Sequence, residues 1–190
     1  MAELIERPRP PLQRGAGERA ERLWTRSVVA GIVALLGVIA FTSARLGLHP
    51  PSRVETIAST SLHKGGEFSE ANLGTSILSD GSAVVRVVAQ QYAFVPNCVL
   101  VPAGVPIAMR LASADAVHGF LIDGTNVNAM IVPGYVTTVR TTFQETGERL
   151  MPCHEFCGVG HQAMWAHVRI VDAQKFPFEQ ARAKAVSCAG

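Results

Sequence analysis

The sequence predicts a mostly β domain, an antiparallel sandwich or barrel, carried behind one N-terminal transmembrane helix. Three observations predict it: a charge-free apolar run near the N-terminus, short Val-rich or alternating segments from residue 81 onward, and turn residues spaced regularly between those segments. Composition agrees. With 190 residues, 48% hydrophobic and only 17% charged, the chain supports one ordinary domain plus appendages and is too apolar to be disordered. The formal net charge is only +2, and no cluster of Lys and Arg occurs in the C-terminal two thirds, which argues against nucleic acid as a partner.

The apolar run SVVAGIVALLGVIAFTSA, residues 27–44, would span roughly 27 Å as a helix, close to the ~30 Å hydrocarbon layer of a bilayer. Trp24 and Arg26 precede it and Arg45 follows. Arg7, Arg9, Arg14, Arg19 and Arg22 lie upstream, so the positive-inside rule places residues 1–26 in the cytoplasm and the rest of the chain outside it. A cleaved signal peptide fits less well, because the run exceeds the usual h-region of ~7–15 residues and no clear A-x-A site follows.

Residues 45–80 are rich in Pro, Ser, Gly and Thr, contain the helix-stopping pair Pro50-Pro51, and read as linker. The β domain is expected over residues 81–172. Ala83 to Ala89 is Val-rich, Val105, Ile107, Met109 and Leu111 alternate with other residues, and so do Val139, Thr141 and Phe143. Pro96-Asn97, Ala103-Gly104, Asp123-Gly124, Pro133-Gly134 and Gly147 mark turns between strands. Residues 173–190 read as a tail, in which Phe176 to Ala185 is a short helix or frayed.

The chemistry is concentrated in Cys153-His154-Glu155-Phe156-Cys157-Gly158-Val159-Gly160-His161-Gln162-Ala163-Met164, between a strand ending at Pro152 and a return strand from Trp165 to Val171. Thiolate, imidazole and thioether together select copper, whereas magnesium would need several carboxylates. A blue-copper site uses one cysteine, so a second cysteine four positions away points to two thiolates bridging two coppers. His118 is the distant imidazole, since sandwich loops bring such segments to one end; the expected set is His118, Cys153, Cys157, His161 and Met164. A Cys153–Cys157 disulfide and a structural zinc site are the competing readings, both disfavoured by His161 and Met164 standing in register.

At these residues the chain resembles subunit II of the haem-copper cytochrome c oxidases, with its dinuclear CuA domain. The pattern C-x-E-x-C-G-x-x-H-x-x-M is met from Cys153 to Met164, and D-x-x-H by Asp115 and His118. Over roughly Val54 to Asp172, segments such as Tyr92-Ala93-Phe94-Val95-Pro96-Asn97 and Gly124-Thr125-Asn126-Val127-Asn128 look most like the B-type branch, whose subunit II has one helix. The resemblance implies a cupredoxin-like Greek-key fold in a bacterial inner membrane. It also implies that Cys153 and Cys157 bridge two coppers, His118 and His161 each bind one, and Met164 and the Glu155 carbonyl are weak ligands. The Glu155 side chain corresponds to a magnesium ligand at the boundary with subunit I in many members, a role left open because some B-type members carry Gln there. Electrons would come from cytochrome c or a similar haem protein and leave, by way of His161, for the haem of subunit I, where oxygen is reduced. Tyr92 and Trp165 are the candidates for electron arrival, against the competing and favoured reading that each packs the sandwich and finds a hydrogen bond for its polar end.

The alternatives are a CuA subunit of a nitric oxide reductase and a membrane-anchored copper delivery protein. Cys98 and Cys188 lack metal-like spacing and read as a strand thiol and a tail thiol, with a disulfide between them left open. His49, His63, His154 and His167 are assigned no role.

Overall fold

The structure, a computed structural model, describes residues 14–46 and 54–188, which fall into a helical unit and a β unit. Arg7, Arg9, His49 and Pro50-Pro51 lie outside the described residues. Helix α1 runs Arg14–Leu46, well beyond the apolar run, because no helix breaker separates the charged turns from the apolar ones. At 33 residues it is about 50 Å long and exceeds a bilayer core. Gly17–Ser43 is long and apolar enough to cross a membrane. Leu23, Val33 and Leu36 are exposed along it. The hydroxyls of Ser27 and Thr42 donate back to the carbonyls of Leu23 and Val38, so both are satisfied within the helix, as an apolar environment requires. Arg22 pairs with Glu18 at 3.3 Å one turn earlier.

The β unit is a mostly β, cupredoxin-like sandwich. Its strands are β1 (Gly74–Ile77), β2 (Ala83–Gln90), β3 (Ala93–Val95), β4 (Cys98–Pro102), β5 (Ile107–Ser113), β6 (His118–Leu121), β7 (Asn128–Ile131), β8 (Thr137–Thr141), β9 (Gly147–Pro152) and β10 (Trp165–Val171). One sheet has the order β1-β2-β5-β8, a second β4-β10-β9, and β6 pairs with β7. Because β5 pairs with residues Ala83 to Ala89 along one edge of β2, β1 and β3 share successive parts of the other. The expectation of antiparallel pairing holds except for β2 with β5 and β4 with β10, which are parallel. Crossover connections cause this: the chain leaves β2, passes through β4 in the other sheet and returns as β5, so a strand can meet a neighbour running its own way.

The main core lies between the sheets. Val85 and Val87 of β2, Met109 and Leu111 of β5, Val99 and Val101 of β4, Val168 and Ile170 of β10, and Phe120 of β6 are all buried there. Phe94 meets Phe120 edge-to-face with ring centroids 5.5 Å apart. Each such side chain contributes about 1.5–3 kcal/mol by leaving water.

The stretch read as linker requires correction. Leu62, Phe68 and Leu73 pack on Val88 and Ala112, on the outer face of the β2–β5 sheet, and β1 lies within the same stretch. Strand β2 is apolar on both faces for this reason, and an irregular segment without periodicity hid its covering role. The tail also belongs to the domain. Helix α2 (Phe178–Ala183) buries Ala181, Val186 exchanges backbone hydrogen bonds with Thr75, and Cys188 forms a disulfide with Cys98.

Covering the sheet creates an electrostatic requirement. Arg86 and Arg110 stand opposite each other in the β2–β5 ladder, and like charges so placed repel. Glu67, from the covering segment, accepts from both guanidinium groups, at 3.1 Å from Arg86 and with a closer bond from Arg110. Arg110 also reaches Glu55 at 2.5 Å. Partial burial acts to raise the pKa of Glu67, but the hydrogen bonds and charges of Arg110 and Arg86 outweigh it and hold the carboxyl below its ordinary value.

Glu67→Gln is expected to cost about 2 kcal/mol at neutral pH, read from denaturant midpoints. Because the folded-state pKa is depressed, this stabilisation is full above the ordinary value of 4.5 and is lost as pH falls through the folded value, so the two proteins should converge in acid. A penalty independent of pH would remove the electrostatic account. Replacing both Cys98 and Cys188 by Ser opens a cross-link with a sequence separation of 90 and is expected to cost about 2–4 kcal/mol in the same assay.

Candidate metal centre

The loop carrying the soft donors is closed at its base by the β9–β10 ladder. Trp165 pairs with Pro152, and one step further the Cys153 N–H donates to the Met164 carbonyl at 3.1 Å. The first and last donors of the loop are thereby brought side by side. A 3-10 turn at His161–Ala163 then orients His161 and Met164. His118 opens β6, which runs beside β7.

All the donors expected from sequence meet in one place. The Sγ atoms of Cys153 and Cys157 are 3.9 Å apart, unbridged and buried. Nδ1 of His118 lies 3.9 Å from Cys153 Sγ, and Nδ1 of His161 lies 3.7 Å from Cys157 Sγ. Met164 Sδ is 3.8 Å from Cys157 Sγ, and the Glu155 carbonyl is 3.3 Å from Cys153 Sγ. His118, Cys153 and Cys157 offer ligand atoms all within 4.8 Å of one another. Cys153, Cys157 and Met164 also belong to the hydrophobic core, so the three sulfurs sit at its dry end.

The electrostatics are set by one carboxylate. Asp115 Oδ1 lies 2.9 Å from Nε2 of the fully buried His118, which places the proton on Nε2 and turns the lone pair of Nδ1 towards the thiols. Burial would raise the pKa of Asp115, yet bonds from His118, Gln91 N–H and Ala116 N–H lower it. Burial and the neighbouring Cys153 push the Cys157 thiol up to about 11, so metal capture must displace protons.

Around the donors, Gly158 takes φ +137, and a Cβ on it would lie 2.5 Å from Tyr92 Oη. A Cβ on Gly160 would lie 2.5 Å from the Tyr92 ring. Tyr92 therefore lies flat over the loop, and only glycines allow that approach. Trp165 is half-exposed and donates its indole N–H to the Gln162 carbonyl at 2.8 Å. Both aromatics thus support the ligand loop. Phe156, not singled out in the sequence, stacks edge-on to His161 at 5.9 Å and is 78% exposed beside Val159 at 87%. Gln91 was also missed: its side-chain amide donates to the Cys157 carbonyl. Nothing in local sequence marks it, because its partner is distant along the chain. His154 is exposed and stands outside the donor group, and His167 pairs with Glu148 at 3.2 Å.

Comparison with known proteins agrees with this geometry. Residues 68–171 match the family described as cytochrome c oxidase subunit II, periplasmic domain. A cytochrome c oxidase subunit 2 of Thermus thermophilus is 31% identical over 150 residues, covering 78% of this chain and 89% of that protein. A second, also from Thermus thermophilus, is 33% identical over 122 residues, 64% of this chain and 90% of the other. Among solved structures, a chain of a haem-copper terminal oxidase dimer superposes with a TM-score of 0.56 at 24% identity, covering 80% of this chain and 99% of its own, and shares the fold. The chain belongs to the cytochrome c oxidase subunit II family.

Proposed function

We propose that the chain is the electron-accepting subunit of a haem-copper oxidase, with residues 27–44 of α1 in the inner membrane, residues 1–26 cytoplasmic and the β domain in the periplasm. His118, Cys153, Cys157, His161, Met164 and the Glu155 carbonyl would hold a pair of copper ions. The observation that carries this reading is two unbridged thiols 3.9 Å apart inside a set of imidazole and thioether donors. Such a set fits copper, and a single blue-copper ion would leave one thiol without a purpose. The Cys98–Cys188 disulfide supports an oxidising compartment.

When bound, the copper pair supplies a one-electron relay between cytochrome c or a similar haem donor and the haem of subunit I, where oxygen is reduced. The protein's own part is rigidity. Asp115 fixes the His118 ring, the β9–β10 ladder fixes Cys153 and Met164, and burial excludes water, so few groups need to move when charge arrives. His161 is partly exposed and is the side chain we assign to the exit path. Phe156 and Val159 give the donor an apolar face. Magnesium on the Glu155 carboxylate would require further oxygen ligands from a partner subunit.

The test is copper titration of the full chain with electron paramagnetic resonance. Two coppers per chain and a hyperfine pattern of one electron shared equally by both nuclei are expected. Cys157→Ser should abolish that pattern, while Met164→Leu should keep both coppers and shift the potential. One copper with single-nucleus hyperfine would return the protein to a delivery role.

A further inference from the structure

Two ligand segments far apart in sequence have to be held at fixed separation, and the residue that touches both is Gln91. Its backbone N–H donates to Asp115 Oδ2 at 2.7 Å, while Asp115 Oδ1 holds His118 Nε2 at 2.9 Å. Its side-chain amide donates to the Cys157 carbonyl. The contacts form a closed circuit: Cys157 to Gln91, Gln91 to Asp115, Asp115 to His118, His118 to Cys153 at 3.9 Å, and Cys153 back to Cys157 at 3.9 Å. Gln91 is the only member of this circuit that is neither a donor to the centre nor bonded directly to a donor side chain.

We propose that Gln91 is a positioning residue of the metal centre, tying the His118 segment to the Cys157 segment. The physical need lies in the far half of the ligand loop. Cys153 and Met164 are anchored by the strand ladder, whereas Cys157 lies at mid-loop, between the exposed Phe156 and Val159. A hydrogen bond to its carbonyl is the way to fix its backbone without occupying its sulfur. Because the same residue's N–H orients Asp115, a shift of the loop is transmitted to the ring of His118. Groups that orient metal ligands typically change affinity by about 10–100-fold when removed.

The metal arm of the test rests on the copper reading above; the thiol arm does not. Gln91→Met keeps the size of the side chain and the backbone bond to Asp115 but cannot donate to the Cys157 carbonyl. Gln90→Ala, one residue earlier and outside the circuit, is the control. In the full chain without metal, iodoacetamide should alkylate Cys157 several-fold faster in Gln91→Met than in the wild type or the control. With copper, loss to a chelator should be about tenfold faster in Gln91→Met, with altered hyperfine splitting, and unchanged in the control. Unchanged alkylation and copper loss in Gln91→Met would overturn the proposal. So would global unfolding of both Gln91→Met and Gln91→Ala by circular dichroism, since a positioning role leaves the domain folded. If the wild type assembles no copper pair, the electron-transfer reading fails and the alkylation rates still decide the role of Gln91.

Discussion

The hydrogen bond from Cys153 N–H to the Met164 carbonyl is the constraint on which the site depends. It extends the β9–β10 ladder by one step beyond Trp165 and Pro152, so a loop of mostly irregular chain starts and ends at a fixed width. Everything the loop carries is set from that base. The turn at His161–Ala163 returns the chain towards the strand, the glycines flatten it under Tyr92, and the sulfurs are directed into the core end of the sandwich. Strand β10 is held in turn by its parallel pairing with β4, and β4 by the disulfide to the C-terminal segment.

Burial and polarity are balanced differently at the two ends of the site. The sulfurs tolerate an apolar surround, since thiol and thioether lose little on leaving water. An imidazole loses more, and His118 is fully buried; Asp115 supplies its hydrogen-bond partner and in doing so chooses the tautomer. A carboxylate in such a place would be costly without donors of its own, and it receives two backbone N–H groups, from Gln91 and Ala116. The arrangement is a connected polar set at the edge of an apolar core, with the His118 ring and the Asp115 carboxylate oriented by hydrogen bonds from the protein itself.

The same logic organises the opposite face of the domain. Residues 54–73 contribute no regular strand, yet they cover the outer face of β2 and β5 and bring Glu67 between two facing arginines. An apolar cover alone would leave those arginines repelling, and an ion pair alone would leave Val88 and Ala112 wet. Together they make the five-stranded sheet a stiff platform, and β5 leads directly into the short loop that bears Asp115 and ends at His118, the first residue of β6.

The apolar run, the alternating segments and the loop motif made the membrane-spanning length, the β class and the donors of one loop, Cys153, Cys157, His161 and Met164, legible from sequence, because each depends on residues close together in the chain. His118 stands 35 residues before Cys153 and was reached through the meeting of sandwich loops at one end and the family pattern. Strand β10 was read from Trp165 to Val171 and is found there. What sequence could not supply was anything fixed by contacts between distant segments: the parallel pairings, the covering role of residues 54–73, the Cys98–Cys188 bridge, the Glu67 pairing and the Gln91 link. Local periodicity reports which face of a strand is apolar and not what covers it, and a lone Gln, Glu or Cys has no pattern to betray its partner. Sequence determined which atoms the site would use, and tertiary structure alone decided what holds them in place, since long-range register is set by the whole core at once.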